Sequence, residues 1–329
     1  MRRRSFLVTS LGVGIIWPMA AAGQQRERLR VVGFVFAATP LSEMTGPDPI
    51  SPQARAFVHG LRDLGWVEGL NLVIERRTMD ADPERAPAIL TELVDRGVDV
   101  IVLSSSPPLL EAARKATATV PLIANFYQDA VTLGLVASLA RPGGNLTGIG
   151  GINTPELVGK RLQMLKELAP RTTRIAFIGT KQEQELHGPD AGPAGTRRVP
   201  IIVEQPHEFA DAFATILRER ADAIHLQGNA VHYGYRGLVI AFAAAHGLPA
   251  SYGYRQAVEE GGLMAYAPSL PGIWRKMAGQ VDRVLRGANP GEMPVELPDR
   301  FDLVINRKTA QALDLTIPPV LEAMAEVIE

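Results

Sequence analysis

The sequence predicts an α/β protein of two lobes, each a parallel sheet covered by helices. Apolar, β-branched runs alternate with amphipathic helical patterns between residues 29 and 126 and again between 174 and 252. That alternation means parallel strands joined by helical crossovers. A glycine-rich stretch, 143–151, separates the two runs without helical periodicity, as an interdomain hinge does. A chain of 329 residues is long enough for two domains with separate cores.

In the first run, Leu29 to Phe36 reads as a buried strand closed by Ala37-Ala38-Thr39-Pro40. Ser51-Pro52 starts a helix with a serine cap and a proline in its first turn, carries Phe57, Leu61 and Leu64 on one face, and stops at Gly65. Leu70 to Glu75 is a second strand. A helix from Asp82-Pro83 to Gly97 follows, then the strand Val98 to Leu103, a helix opened by Ser106-Pro107, and the strand Pro121 to Phe126. The second run offers strands at 174–179, 200–204, 223–226 and 249–252, with helices at 156–168, 208–219 and 234–246. The stretch 179–199 has no 3.6-residue period and is expected to be a loose loop. A third part, from Gly261 on, has a short strand, a helix near 273–285 and a strand at 301–305. These are too few for a third core, so they complete the two sheets, and the chain crosses between lobes three times.

Arg2, Arg3 and Arg4 precede an apolar stretch, 7–22, broken by Pro18 and ending in small residues. This is the pattern of a cleaved signal peptide, 1–23, rather than a membrane anchor, which needs ~20 unbroken apolar residues. Arg3-Arg4-Ser5-Phe6-Leu7 resembles the twin-arginine export signal; Val8 stands where that signal has Lys, so twin-arginine and general secretory routes both remain. With 34 Lys+Arg against 35 Asp+Glu there is no basic bias, which argues against a nucleic-acid partner. The absence of cysteine removes disulfides, thiol nucleophiles, thiolate metal sites and a lipid anchor.

Enzyme motifs are missing. The first strand is followed by Ala37-Ala38-Thr39-Pro40 instead of a Gly-x-Gly-x-x-Gly turn, and there is no phosphate-binding loop, nucleophile elbow or zinc helix. None of the six histidines pairs with another at helical spacing, and Asp80, Asp82 and Glu84 read as a helix cap with first-turn acids rather than a metal site.

The chain nevertheless resembles a known family. Leu64-Gly65-Trp66-Val67-Glu68-Gly69-Leu70-Asn71, Arg141-Pro142-Gly143-Gly144-Asn145-Leu146-Thr147-Gly148, Gly261-Gly262-Leu263-Met264-Ala265-Tyr266 and Phe301-Asp302-Leu303-Val304-Ile305-Asn306, in this order and spacing, look like the periplasmic substrate-binding proteins of an ABC-importer family that includes aromatic amino-acid binders. The resemblance implies a type I periplasmic-binding fold with a three-crossover hinge. Lobe 1 is then 24–148 with about 265–300, lobe 2 is 149–264 with about 301–318, and 319–329 is a C-terminal helix. It also implies a monomeric, exported protein, periplasmic and not lipid-anchored, without cofactor or enzymatic activity, that delivers a small organic solute, an amino acid or aromatic compound, to ABC permease subunits. The alternative is a hydrolase- or transferase-like cleft enzyme on the same scaffold.

Ligands of open parallel sheets bind beyond the carboxyl ends of the strands. That rule selects Thr39, Ser104, Ser105, Ser106 and Tyr127 in the first lobe, and Asn229, Tyr252, Tyr254 and Arg255 in the second. Ser106 serves as carboxylate receiver, helix cap or both. Asp129 matches an aspartate of the family's Asp-Pro-Val stretch and meets a ligand amine or caps its own helix. Asn229 stands where relatives carry Asp.

Overall fold

The computed structural model describes residues 29–104, 106–127, 130–151, 153–188 and 192–329, so the expected signal peptide lies outside the described residues. The first sheet has five parallel strands, β1 (Arg30–Phe36), β2 (Leu72–Thr78), β3 (Val100–Leu103), β4 (Leu122–Asn125) and β5 (Leu146–Ile149), in the order β2-β1-β3-β4-β5. The second has seven, β6 (Arg174–Gly179), β7 (Arg197–Ile202), β8 (Ala223–Leu226), β9 (Ala250–Tyr252), β10 (Met264–Pro268), β11 (Phe301–Asn306) and β12 (Ala325–Ile328), in the order β12-β11-β10-β9-β8-β6-β7. All its pairings are parallel except β10 with β11.

Strand alternation divides each lobe into two apolar layers. In lobe 1, Val32, Phe34, Phe36, Val100 and Val102 face the helices Pro52–Asp63 and Leu270–Leu285, while Val35, Ile101, Leu103 and Ala124 face the helices Ala86–Asp95 and Pro107–Ala116. The helix Leu270–Leu285 comes from the end of the chain, yet its Trp274 stacks on Phe36 with centroids 4.6 Å apart. At Gly60 an added Cβ would lie 2.9 Å from the Ala278 Cβ, so the missing side chain is what lets these two helices approach.

The chain passes to the second sheet after β5, returns after β10, and passes again before β11. The first and third passages are joined by backbone hydrogen bonds from Gly150 N to the Glu296 carbonyl (2.8 Å) and from Glu296 N to the Gly148 carbonyl (3.0 Å).

Three expectations change. The glycine-rich stretch contains a strand, β5, because Leu146 and Ile149 are buried and Thr147 donates to the Met293 carbonyl at 2.8 Å. The stretch 179–199 contains a helix, Lys181–His187, held by a reciprocal capping box between Thr180 and Glu183. The tail 319–329 is a short helix, Pro319–Met324, followed by β12. Pairing with β11 and the Arg255–Glu326 ion pair draw its last residues into the sheet.

At Gly148 an added Cβ would sit 1.7 Å from the Ala124 carbonyl oxygen, whereas at Gly144 it would meet nothing within 4 Å. Gly148→Ala should therefore lower the unfolding free energy by more than about 3 kcal/mol, and Gly144→Ala by less than about 1 kcal/mol. Urea denaturation of both variants measures this, and equal small losses would contradict the close approach.

Candidate functional site

The carboxyl ends of β1, β3 and β4 face those of β6, β8 and β9. Because a parallel sheet leaves loop amides and polar side chains at this edge, two opposed edges make a shared cleft. Ala37 to Thr39 follow β1, Ser104 follows β3 and Tyr127 follows β4; Thr180 follows β6, Asn229 follows β8 and Tyr254 follows β9. Close packing of the loop glycines fixes the second set, since a Cβ on Gly253 would lie 2.7 Å from Gly228 Cα.

Two neighbouring spaces occupy the cleft. A chamber of about 770 Å³ runs between the lobes, with Ser106 and Phe126 on the first lobe and Glu183, Asn229 and Tyr235 on the second. A cavity of about 50 Å³ opens beside it, walled by Phe36, Leu270 and Trp274 and by Tyr233 reaching over from lobe 2. Ala37, Ala38 and Tyr127 border both.

Aromatic contacts join the lobes. Tyr254 is buried in the first lobe's core layer, edge-on to Tyr127 (6.1 Å) and to Tyr233 (4.8 Å), and its hydroxyl donates to the Asn229 carbonyl. Gln53 of lobe 1 donates from Nε2 to the Tyr233 hydroxyl at 3.0 Å. Burial raises the pKa values of Tyr127 and Tyr254, so both phenols stay neutral.

Of the residues selected from the sequence, Thr39, Ser104, Ser106, Tyr127 and Asn229 line the cleft. Ser104 Oγ accepts from Ala37 N at 2.8 Å, tying β3 to the loop after β1. Ser106 makes no side-chain cap bond to its helix. Asn229 is a cap: its Oδ1 accepts from His232 N (2.9 Å), and its Nδ2 donates to Glu183 Oε2 (3.0 Å). Tyr254 sits between the lobes as described. Tyr252, 1% exposed, packs into lobe 2's core, and Arg255 is engaged by Glu259 and Glu326, so neither lines the cleft. Ser105 and Asp129 lie outside the described residues.

Sequence reasoning missed Gln53, Asn125, Glu183, Tyr233 and Trp274. Only Glu183 carried a readable signal, the Thr180-Lys181-Gln182-Glu183 capping pattern. Glu183 is 1% exposed, and its Oε2 accepts from Thr180 N at 2.8 Å.

Below the cleft floor a polar chain runs through lobe 2. Buried Arg161 donates to the Tyr266 carbonyl (2.6 Å) and to Asn153 Oδ1. Asn153 Nδ2 donates to Gln227 Oε1 (3.1 Å), and Gln227 Nε2 donates to His187 Nε2 (2.6 Å). His225 bridges Gln227 and Ser251, at 3.2 and 2.7 Å. The Ser251–His225 contact looks like a nucleophile with its base, but both residues are fully buried and do not line the cleft. Burial lowers the Arg161 pKa to about 10; burial, with Arg198 and Arg161 nearby, lowers that of His187 to about 4. Among the described residues no group of His, Asp and Glu could hold a metal ion.

The sequence model of the family described as "ABC transporter substrate binding protein" matches residues 48–328. A curated relative, the tyrosine-binding protein of Clostridioides difficile (strain R20291), is 24% identical over 84% of this chain and 80% of its own length. Among solved structures, an ABC domain in complex with L-Trp from Streptococcus pneumonia superposes with a TM-score of 0.80 at 23% identity, covering 91% of this chain and 99% of that one. A ligand-free, open substrate binding protein with adhesive properties from Clostridium difficile gives 0.64 at 20% identity, with coverage of 91% and 99%. These likenesses show the fold.

His187 gives a pH test of the polar chain. Its folded pKa near 4 lies below the value near 6.5 of an unfolded histidine. Between these values the unfolded state binds more protons, so stability is lost as pH falls through that window. Replacing His187 with Gln should shrink the loss of unfolding free energy between pH 7 and 4.5 by about 2 kcal/mol. Denaturant titrations at the two pH values measure it, and parallel losses in both proteins would contradict a neutral, buried His187.

Proposed function

The chain belongs to the ABC transporter substrate-binding protein family, and from that membership and the cleft we propose that it is the periplasmic component that captures an aromatic amino acid and presents it to a permease. The supporting observation is a cleft contributed by both lobes and walled by Phe36, Tyr127, Tyr233 and Trp274. Such walls suit a ligand with a flat ring. The named ligands of two relatives, tyrosine and L-Trp, point the same way.

The chamber supplies groups for the two charges of an amino acid. The Ser106 hydroxyl stands at the amino end of the helix Pro107–Ala116, where the helix dipole favours a carboxylate. Across the chamber, Glu183 is the counter-charge for an ammonium group. Its Oε2 is held by Thr180 and Asn229, which fixes the carboxylate in place. Since Ser106 and Glu183 lie on different lobes, a ligand bound to both stabilises the closed arrangement over the open one. Among the described residues no helix is long and apolar enough to cross a membrane. Export of the mature chain by the arginine-led peptide 1–23 belongs to the same proposal.

Calorimetric titration of the mature protein with L-tyrosine, L-tryptophan, L-phenylalanine and L-leucine tests the ligand class. The aromatic amino acids should bind with Kd near or below about 1 μM, about −8 kcal/mol, with L-leucine far weaker. Glu183→Gln should weaken binding about tenfold or more while the melting temperature without ligand stays close to wild type. Binding of leucine as tight as that of any aromatic compound, or no effect of Glu183→Gln, would overturn this mode.

A further inference from the structure

The cavity of about 50 Å³ differs in chemistry from the chamber beside it. Among the described residues no carboxylate, ammonium or guanidinium group lines it; the polar groups they supply are Thr39, Gln53, Ser104, Asn125 and the two tyrosines. At roughly 10–15 Å³ per water-sized group, it holds about three to five such groups, enough for the tip of a ring substituent and too little for a whole amino acid.

Asn125, at the end of β4, is 3% exposed, and its Oδ1 has no hydrogen-bond partner. A buried amide oxygen left unpaired is costly and rare, so this position is built to meet a donor. Ser104 presents the complementary group. Its oxygen already accepts from Ala37 N, which leaves the hydroxyl hydrogen for an acceptor. A neutral hydroxyl, which donates once and accepts, matches this pair. Among the described residues nothing lining the cavity would neutralise a buried carboxylate or ammonium, and a bare ring would leave Asn125 unpaired.

We infer that this cavity is a subsite for an uncharged hydroxyl at the far end of an aromatic ligand, with Asn125 and Ser104 as the residues that read it. The inference rests on the aromatic amino-acid reading and deepens it, because it makes the protein selective for the hydroxylated ring. Phe36 and Trp274, stacked on each other, form one wall of the cavity; the tip of the ring enters beside them while its charged end stays in the chamber.

Calorimetry with L-tyrosine, L-phenylalanine, O-methyl-L-tyrosine and 4-carboxy-L-phenylalanine tests this on the wild-type protein, with Asn125→Leu as the variant. L-Tyrosine should bind at least tenfold tighter than L-phenylalanine, and the methyl ether and the carboxylate should bind at least a hundredfold more weakly than L-tyrosine. In Asn125→Leu the tyrosine-to-phenylalanine ratio should fall below threefold, with the melting temperature unchanged or raised. Should that variant not fold, the wild-type series decides alone, since the methyl ether removes the donor from the ligand side. Equal binding of L-tyrosine and L-phenylalanine would overturn the subsite and leave the aromatic ligand class standing. Selectivity that survives in folded Asn125→Leu would remove Asn125 from it, and failure of all four compounds to bind would overturn both readings.

Discussion

Tyr254 belongs to the second lobe by sequence and to the first by packing, and the arrangement of the cleft depends on that insertion. Its ring is buried in the layer that contains Phe34, Phe57 and Trp274, and its hydroxyl reaches back to the Asn229 carbonyl at the end of β8. The lobes therefore meet at the centre through the protein's own aromatic side chains, Tyr127 against Tyr254 and Tyr254 against Tyr233. The space left for a ligand adjoins this contact at Tyr127, as a small neutral cavity and a large chamber with charged walls that share Ala37, Ala38 and Tyr127. A ligand with one polar but uncharged end and one charged end fits that division, since each end finds groups of its own kind.

Closure also needs a hinge that moves without losing register. Arg161 contributes to it through two bonds, to Asn153 beyond the first passage between lobes and to the Tyr266 carbonyl on β10 before the second. The third passage is tied to the first through Glu296. The three strands of the hinge are thereby linked to one another, so rotation of one lobe carries them together. A guanidinium buried there with no carboxylate partner among the described residues is costly. Its hydrogen bonds to a carbonyl and an amide offset part of that cost.

Much of the framework was legible from local pattern. β-Branched runs such as Val31-Val32-Gly33-Phe34-Val35-Phe36 and Val100-Ile101-Val102-Leu103 announce strands, and Ser51-Pro52 and Asp82-Pro83 announce helix starts. β5 was obscured because Gly148 within it and the glycines on both sides mask the buried Leu146 and Ile149, and the helix Lys181–His187 because a seven-residue polar segment has little periodicity to show. The cleft was legible only in part. The rule of strand carboxyl ends finds Thr39, Ser104, Ser106, Tyr127 and Asn229. It does not separate Tyr252, which turns into its own core, from Tyr254, two residues later, which crosses to the other lobe. Gln53 and Trp274 reach the site from distant helices, and no local spacing marks them. Asn125 ends a buried strand, where its unpaired oxygen cannot be read from sequence.

The central claim is that one ligand is held by both lobes and draws them together. The chain has no cysteine, so nitroxide labels introduced at exposed Glu84 of lobe 1 and Glu185 of lobe 2 report the distance between lobes by pulsed electron resonance without competing sites. Saturating L-tyrosine should narrow the distribution to a single short distance matching the closed lobes. A broad distribution unchanged by a compound that calorimetry shows to be bound would contradict closure.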